Sequence, residues 1–179
     1  MTFVAPLPKE AITDPELVAL IAKGEALGVP DDVFARILAR SPEHAKPVMR
    51  ALLMSHAEGN VDHRLKEIIR ILLARFADDR YFASLRSRKA RAMGLDEARI
   101  EAGCGDYEDG DAFTEAEKCA LRYADQMYLD ATKVDAAFYA ELKTHFTEAQ
   151  IMELGAFIAF HYGMQMFMRS LGAAAAAPR

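Results

Sequence analysis

The strongest constraint on the fold is the stretch Asp62 to Leu95, DHRLKEIIRILLARFADDRYFASLRSRKARAMGL. Its first part places Leu65, Ile68, Ile69, Leu72, Leu73 and Phe76 at mixed three- and four-residue spacing, the pattern of a helix with one broad apolar face. Glu67 and Arg70 sit three residues apart on the polar side, as neighbours. Asp78 or Asp79 then reads as the N-cap of a second helix, which runs through Tyr81, Phe82, Leu85, Arg86 and Lys89 to Gly94, a natural C′ residue. On one continuous helix Asp79, Phe82, Arg86 and Ala90 share a face.

The remainder of the chain carries the same signature. Asp14 to Leu27 reads as a helix capped by Thr13 and stopped by Gly28; Pro30 opens a short helix over DDVFARILAR; Ser41-Pro42 starts another. Glu58-Gly59-Asn60 is a turn, Asp96 to Ala102 a short helix, and Gly103 to Asp111 an acidic, glycine-rich loop. Thr114 with Glu117 forms a capping box for a helix to Tyr128, Val134 to Phe146 is the next helix, and Thr147 caps a long apolar one reaching Leu171. No segment reads as a strand. The prediction is an all-α, single-domain helical bundle: residues 1–46 as an N-terminal arm and helices, 47–172 as the core, and 173–179 as a fraying tail. At 179 residues the chain is long enough to bury a core alone. A formal charge of −5 with interspersed signs argues against a nucleic-acid surface. No apolar run is long enough to span a bilayer and no signal peptide is visible, so the cytoplasm is expected. Cys104 and Cys119 make no metal or redox pattern.

Few residues stand out as chemistry. Glu67 and Arg70 are most simply a surface ion pair, since the helical wheel points them away from the apolar centre. Arg86 sits among Phe82, Ala83 and Ala90, where a plain core would want an apolar residue. It either snorkels, pairs with Glu67 or Asp79, or clamps a carboxylate with its planar guanidinium. Tyr81 can donate a proton or hydrogen bond. His161, inside the most apolar helix, begins a polar stripe continued by Gln165 and Arg169 at steps of four. His56, His63 and His145 read as isolated, without metal-ligand spacing.

The spacing in the central stretch resembles the carboxymuconolactone decarboxylase and alkylhydroperoxidase D family. The peroxidase branch carries a Glu, a Cys-x-x-Cys twelve residues later, a His four residues after the second Cys, then a small residue and a Gly at further steps of four. Counting back from Gly94 places the small residue at Ala90, the His at Arg86, the two Cys at Phe82 and Asp79, and the Glu at Glu67. A proton-relay position of some peroxidases is Tyr81, and Gln165 and Arg169 loosely match a polar amide and Arg of the family. The resemblance spans roughly Pro47 to Leu171. It implies the alkylhydroperoxidase D-like helical fold, assembly as a homo-oligomer (trimer or hexamer), and no metal or organic cofactor. It places Glu67 in a pocket beside the second helix. Together with the residue reading it gives Glu67, Tyr81, Arg86 and His161 as candidate catalytic groups, and Asp79, Phe82, Arg70 and Gln165 as candidate substrate-binding ones. Three functions are expected in descending order: a cofactor-independent, decarboxylase-like lyase, isomerase or hydrolase taking a small anionic acid or lactone; a peroxidase, disfavoured because both motif cysteines are absent; and a non-catalytic helical oligomer.

Overall fold

The computed structural model describes residues 2–29 and 33–172, and among these no strand occurs. Helix α1 spans Pro15–Ala26. Its cap is Asp14, whose carboxylate accepts from Leu17 N at 2.9 Å, rather than Thr13 as expected. Pro15 at the first helical position makes the preceding residue the cap. Helix α2 is Val33–Leu38; the start assigned to Pro30 lies outside the described residues, as do Met1 and the tail 173–179. Helix α3, Pro42–Leu52, runs directly into a π-helical turn, Leu53–Ala57. Helix α4 is His63–Phe76, capped by Asp62.

The second helix of the central stretch is not continuous. It splits into α5, Arg80–Ser84, and α6, Arg88–Ala92. Leu85 is extended (φ −72, ψ 147), and Ser87 starts the helix again as an N-cap accepting from Ala90 N at 3.2 Å. Asp79 caps α5 and Gly94, at φ +89, follows α6, so both ends fall where the sequence puts them. After these come α7 (Glu97–Gly103), α8 (Glu115–Leu129), α9 (Ala136–His145) and α10 (Glu148–Ser170). Thr114–Glu117 and Thr147–Gln150 form reciprocal capping boxes.

Helix α4 is the axis of the bundle, packed against α10, α5, α8, α6 and α7. Every residue from Leu65 to Ala74 is buried. Ile68, Leu72, Leu121, Leu154 and Phe157 belong to the main core, where each fully buried side chain contributes about 1.5–3 kcal/mol before ordering costs. A second cluster joins Leu17, Ala45, Met49 and Leu52. A third joins Phe34, Ile37, Tyr81, Phe82 and Met168 across α2, α5 and α10. The polar side of α4 is therefore covered as well, by α5, α6 and the π turn.

Along α10, Phe157, Ile158 and Met168 are core residues, whereas Tyr162, Met166 and Phe167 are 37–43% exposed. Among the described residues no helix is long and apolar enough to cross a membrane.

Candidate active site

Glu67 and Arg70 are not at the surface; they are 1% and 2% exposed. The wheel places them correctly opposite the apolar face, but the break between α5 and α6 lies against that side and gives the pair its role. A helix end leaves carbonyls and amides without partners. Arg70 Nη1 donates to Phe82 O at 2.8 Å and Nη2 to Leu85 O at 2.8 Å, closing the C-terminal end of α5. Glu67 Oε1 accepts Ser87 N at 2.7 Å, at the start of α6. Between themselves the two side chains form a forked pair, Nε to Oε2 at 2.9 Å and Nη2 to Oε1 at 2.7 Å. Burial alone would raise the Glu67 pKa, but the Arg70 charge and hydrogen bonds, with a further bond from His56, hold the carboxyl ionised well below the usual range.

His56 is the residue that sequence reasoning missed. The π turn carries it inward, fully buried, with Nε2 3.1 Å from Glu67 Oε2. An ionised carboxylate only accepts, so Nε2 carries the hydrogen and Nδ1 presents a lone pair. Nδ1 has no partner. Burial lowers the His56 pKa against the opposing pull of Glu67, keeping the ring neutral. The turn itself is fastened by buried Lys66, whose Nζ donates to Ser55 O (3.0 Å), Glu58 O (2.6 Å) and Glu153 Oε1 (2.8 Å). His63, also read as isolated, supports the same region: Nδ1 lies 2.8 Å from His56 O and Nε2 2.8 Å from Ser87 Oγ. The only signal in the sequence was a lone polar ring within the apolar run Leu52 to Ala57.

The His56 ring lines a cavity, to which Glu67 does not contribute. Its apolar walls are Val29, Phe34, Leu52, Phe160 and Met164, and its polar groups belong to His56, Arg70, His161 and Gln165, with Phe82 beside them. It admits the centre of a water-sized molecule over about 20 Å³, enough for one water. His161 stands 5.4 Å from His56 between ring centres, at 71°. Burial holds its pKa well below the ordinary value, and its Nε2 is buried without a partner. Gln165 Nε2 donates to Arg70 O at 2.9 Å, leaving Oε1 buried and unpartnered.

Four of the eight candidate residues, Arg70, Phe82, His161 and Gln165, thus line one cavity, and Glu67 stands one hydrogen bond behind it. Three do not. Arg86 is a correction: with the helix broken at Leu85 it turns outward, bonds both Glu97 oxygens at 3.0 Å through Nε, and donates to Ala83 O and Leu85 O. Its head does not line the cavity, and the pairing anticipated with Glu67 or Asp79 is made with Glu97 instead. Asp79 caps α5, accepting from Phe82 N at 3.0 Å, with its other oxygen buried and unpartnered; burial raises its pKa against that hydrogen bond. Tyr81 packs in the apolar cluster with Phe82 and Met168. Cys104 and Cys119 are not among the residues lining the cavity, and burial pushes both thiols up to about 11. Among the described residues no three His, Cys, Asp or Glu side chains gather as a metal site.

No protein-family model and no curated protein matches the sequence. Solved structures do match. A cysteine-to-alanine variant of the debrominase Bmp8 in complex with 2,3,4-tribromopyrrole superposes with a TM-score of 0.80 at 20% identity, covering 96% of this chain and 90% of that one. An alkylhydroperoxidase AhpD core, an uncharacterized peroxidase-related protein from Ralstonia eutropha JMP134, gives 0.76 at 16% identity over 94% of this chain and 90% of that one. This chain has the alkylhydroperoxidase D-like fold. An uncharacterized peroxidase-related protein from Silicibacter sp. TM1040 shares that fold with it, at a TM-score of 0.74 and 16% identity over 94% and 90% of the two chains.

Proposed function

We propose that the protein is a cofactor-independent enzyme of the lyase or isomerase kind, acting on a small organic molecule by proton transfer with His56 as the general base. The observation that carries this is the bare, buried Nδ1 of His56, on a ring that lines the cavity and whose other nitrogen is held by an ionised carboxylate. That arrangement has the logic of a carboxylate–imidazole pair: Glu67 fixes the tautomer and orientation, and stabilises the imidazolium once a proton arrives. Arg70 keeps Glu67 ionised without itself entering the reaction. The proton leaves a substrate C–H, N–H or O–H for Nδ1 and the electron pair stays on the substrate. In an isomerase the same imidazolium returns the proton to a second position; in a lyase that electron pair expels a neighbouring group, whose bond breaks and which takes the proton from the imidazolium. His161 lines the same cavity, and this reading gives it a hydrogen bond to the substrate. That a protein of this fold holds 2,3,4-tribromopyrrole supports a ring-sized ligand for the scaffold.

Thiol peroxidase chemistry draws no support from Cys104 and Cys119, whose thiols stay protonated at neutral pH. The anionic-substrate expectation also loses its basis, because Arg86 is engaged by Glu97 and Arg70 by Glu67. The test is turnover, or deuterium exchange into a panel of small lactones, phenols and ring-bearing acids. His56→Gln is expected to lower kcat on any accepted substrate by roughly 10²–10⁴-fold, the usual range for a general base. Full activity in a folded His56→Gln protein would remove His56 from the reaction.

A further inference from the structure

The polar groups of the cavity are unevenly matched, and the mismatch describes a ligand. His56 Nδ1 and Gln165 Oε1 are both buried lone-pair acceptors without a partner, and His161 Nε2 is a third unpartnered buried atom in the same lining. The positive charge of Arg70 is spent. Two of its nitrogens face Glu67, and further bonds go to Phe82 O and Leu85 O, leaving a single Nη1 hydrogen without an acceptor. The charges of Glu67 and Arg70 cancel, and both cavity imidazoles are neutral. The rest of the wall is apolar, with Phe34, Phe82 and Phe160 among it.

We infer that this cavity selects an uncharged, flat ring carrying an N–H or O–H donor, such as a phenol or an azole, and discriminates against carboxylates. Building on the general-base reading of His56, this sets the chemical class of the substrate at that site. A donor on such a ring satisfies the His56 lone pair, whereas a carboxylate oxygen in the same place sets lone pair against lone pair and loses its hydration with no free cation to replace it. A site built around unmatched acceptors rejects the analogue that lacks the donor more strongly than a purely apolar pocket does. A ring is larger than the one-water space of this cavity, so its entry requires the side-chain walls to shift, and half-buried, unbranched Met164 is the most adaptable of them.

The test is binding by calorimetry or by chemical-shift changes of the His56 and His161 rings, with phenol and pyrrole set against anisole and benzoate. Phenol, anisole and benzoate share a six-membered ring and differ in donor and charge, and pyrrole carries the donor on a smaller, five-membered ring. Phenol and pyrrole are expected to bind at least tenfold tighter than anisole and benzoate in wild type. In Gln165→Leu and His161→Leu the preference over anisole should fall to within about threefold. Benzoate binding as well as phenol, anisole matching phenol, or no binding by any of the four overturns the inference on the wild-type protein alone, whatever the variants do. Because the readout is binding, the two claims separate. Donor selectivity without proton transfer from any bound ring fails the catalytic reading only, and turnover of a carboxylate with no donor preference fails this inference only.

Discussion

Glu67 and Arg70 illustrate how a residue's role can be hidden by a correct local reading. Three apart on a helix and opposite its apolar face, they carry the pattern of a solvated pair, and nothing in the periodicity of α4 reveals that its polar side is roofed over. Glu67→Gln leaves a buried guanidinium without its counter-charge, a change that costs about 3–5 kcal/mol in comparable sites. Urea unfolding of Glu67→Gln is expected to register a loss in that range; a loss below about 1 kcal/mol would mean the pair is solvated after all. His63 gives a pH dependence. Burial, then the neighbouring His56, depresses its folded pKa to about 4 from an ordinary 6.5. The unfolded chain therefore binds the extra proton first as pH falls, so the stabilisation is complete above about pH 6.5 and is lost progressively down to pH 4. The loss is at most about 3 kcal/mol. Unfolding midpoints measured from pH 7 to 4 should decline in wild type and decline less in His63→Gln. Glu67, His161 and Gln165 were legible in the sequence as candidates. His56 was not, because a π turn changes the register between it and the helix it faces.

At the scale of elements, capping chemistry predicted part of the helix starts. Asp79, Thr114 and Thr147 each accept a backbone amide where the sequence puts a cap, whereas Asp14 takes the place of Thr13 and Ser41 makes no side-chain cap bond. The failure was the join between α5 and α6, where Ser84-Leu85-Arg86-Ser87 supports a helix interior and a cap equally by propensity. Tertiary hydrogen bonds from α4 decide between them. Ser87 is then worth more than an ordinary cap, since its hydroxyl also meets His63. Ser87→Ala is expected to cost about 1–2 kcal/mol, whereas Arg86→Ala, removing a pair whose Glu97 side chain is 54% exposed, should cost under about 1 kcal/mol. Thermal unfolding of the two variants side by side checks the ordering; the reverse ordering would restore a buried role to Arg86.

For the molecule as a whole, Tyr162, Met166 and Phe167 leave apolar area on α10, with Leu129 at 65% exposure at the end of α8. We propose that these meet in a homo-oligomer, a trimer or hexamer, and light scattering at micromolar concentration should give such a mass; a monomer would contradict it. The all-α bundle was readable from period and caps because its longer helices announce themselves locally. The site was only partly readable because it is assembled from a turn, a helix break and two distant helices. The closure of that break by α4 has one more consequence. Short helices joined by an extended residue are ordinarily the first parts of a protein to open and the first to be nicked by proteases. Here, peeling α5 and α6 away would strip Arg70 of two carbonyls and Glu67 of an amide in one step, together with the buried packing that covers that side of α4. The segment that looks most detachable is thereby bound into the same cooperative unit as the central helix, and it comes apart when the whole bundle does.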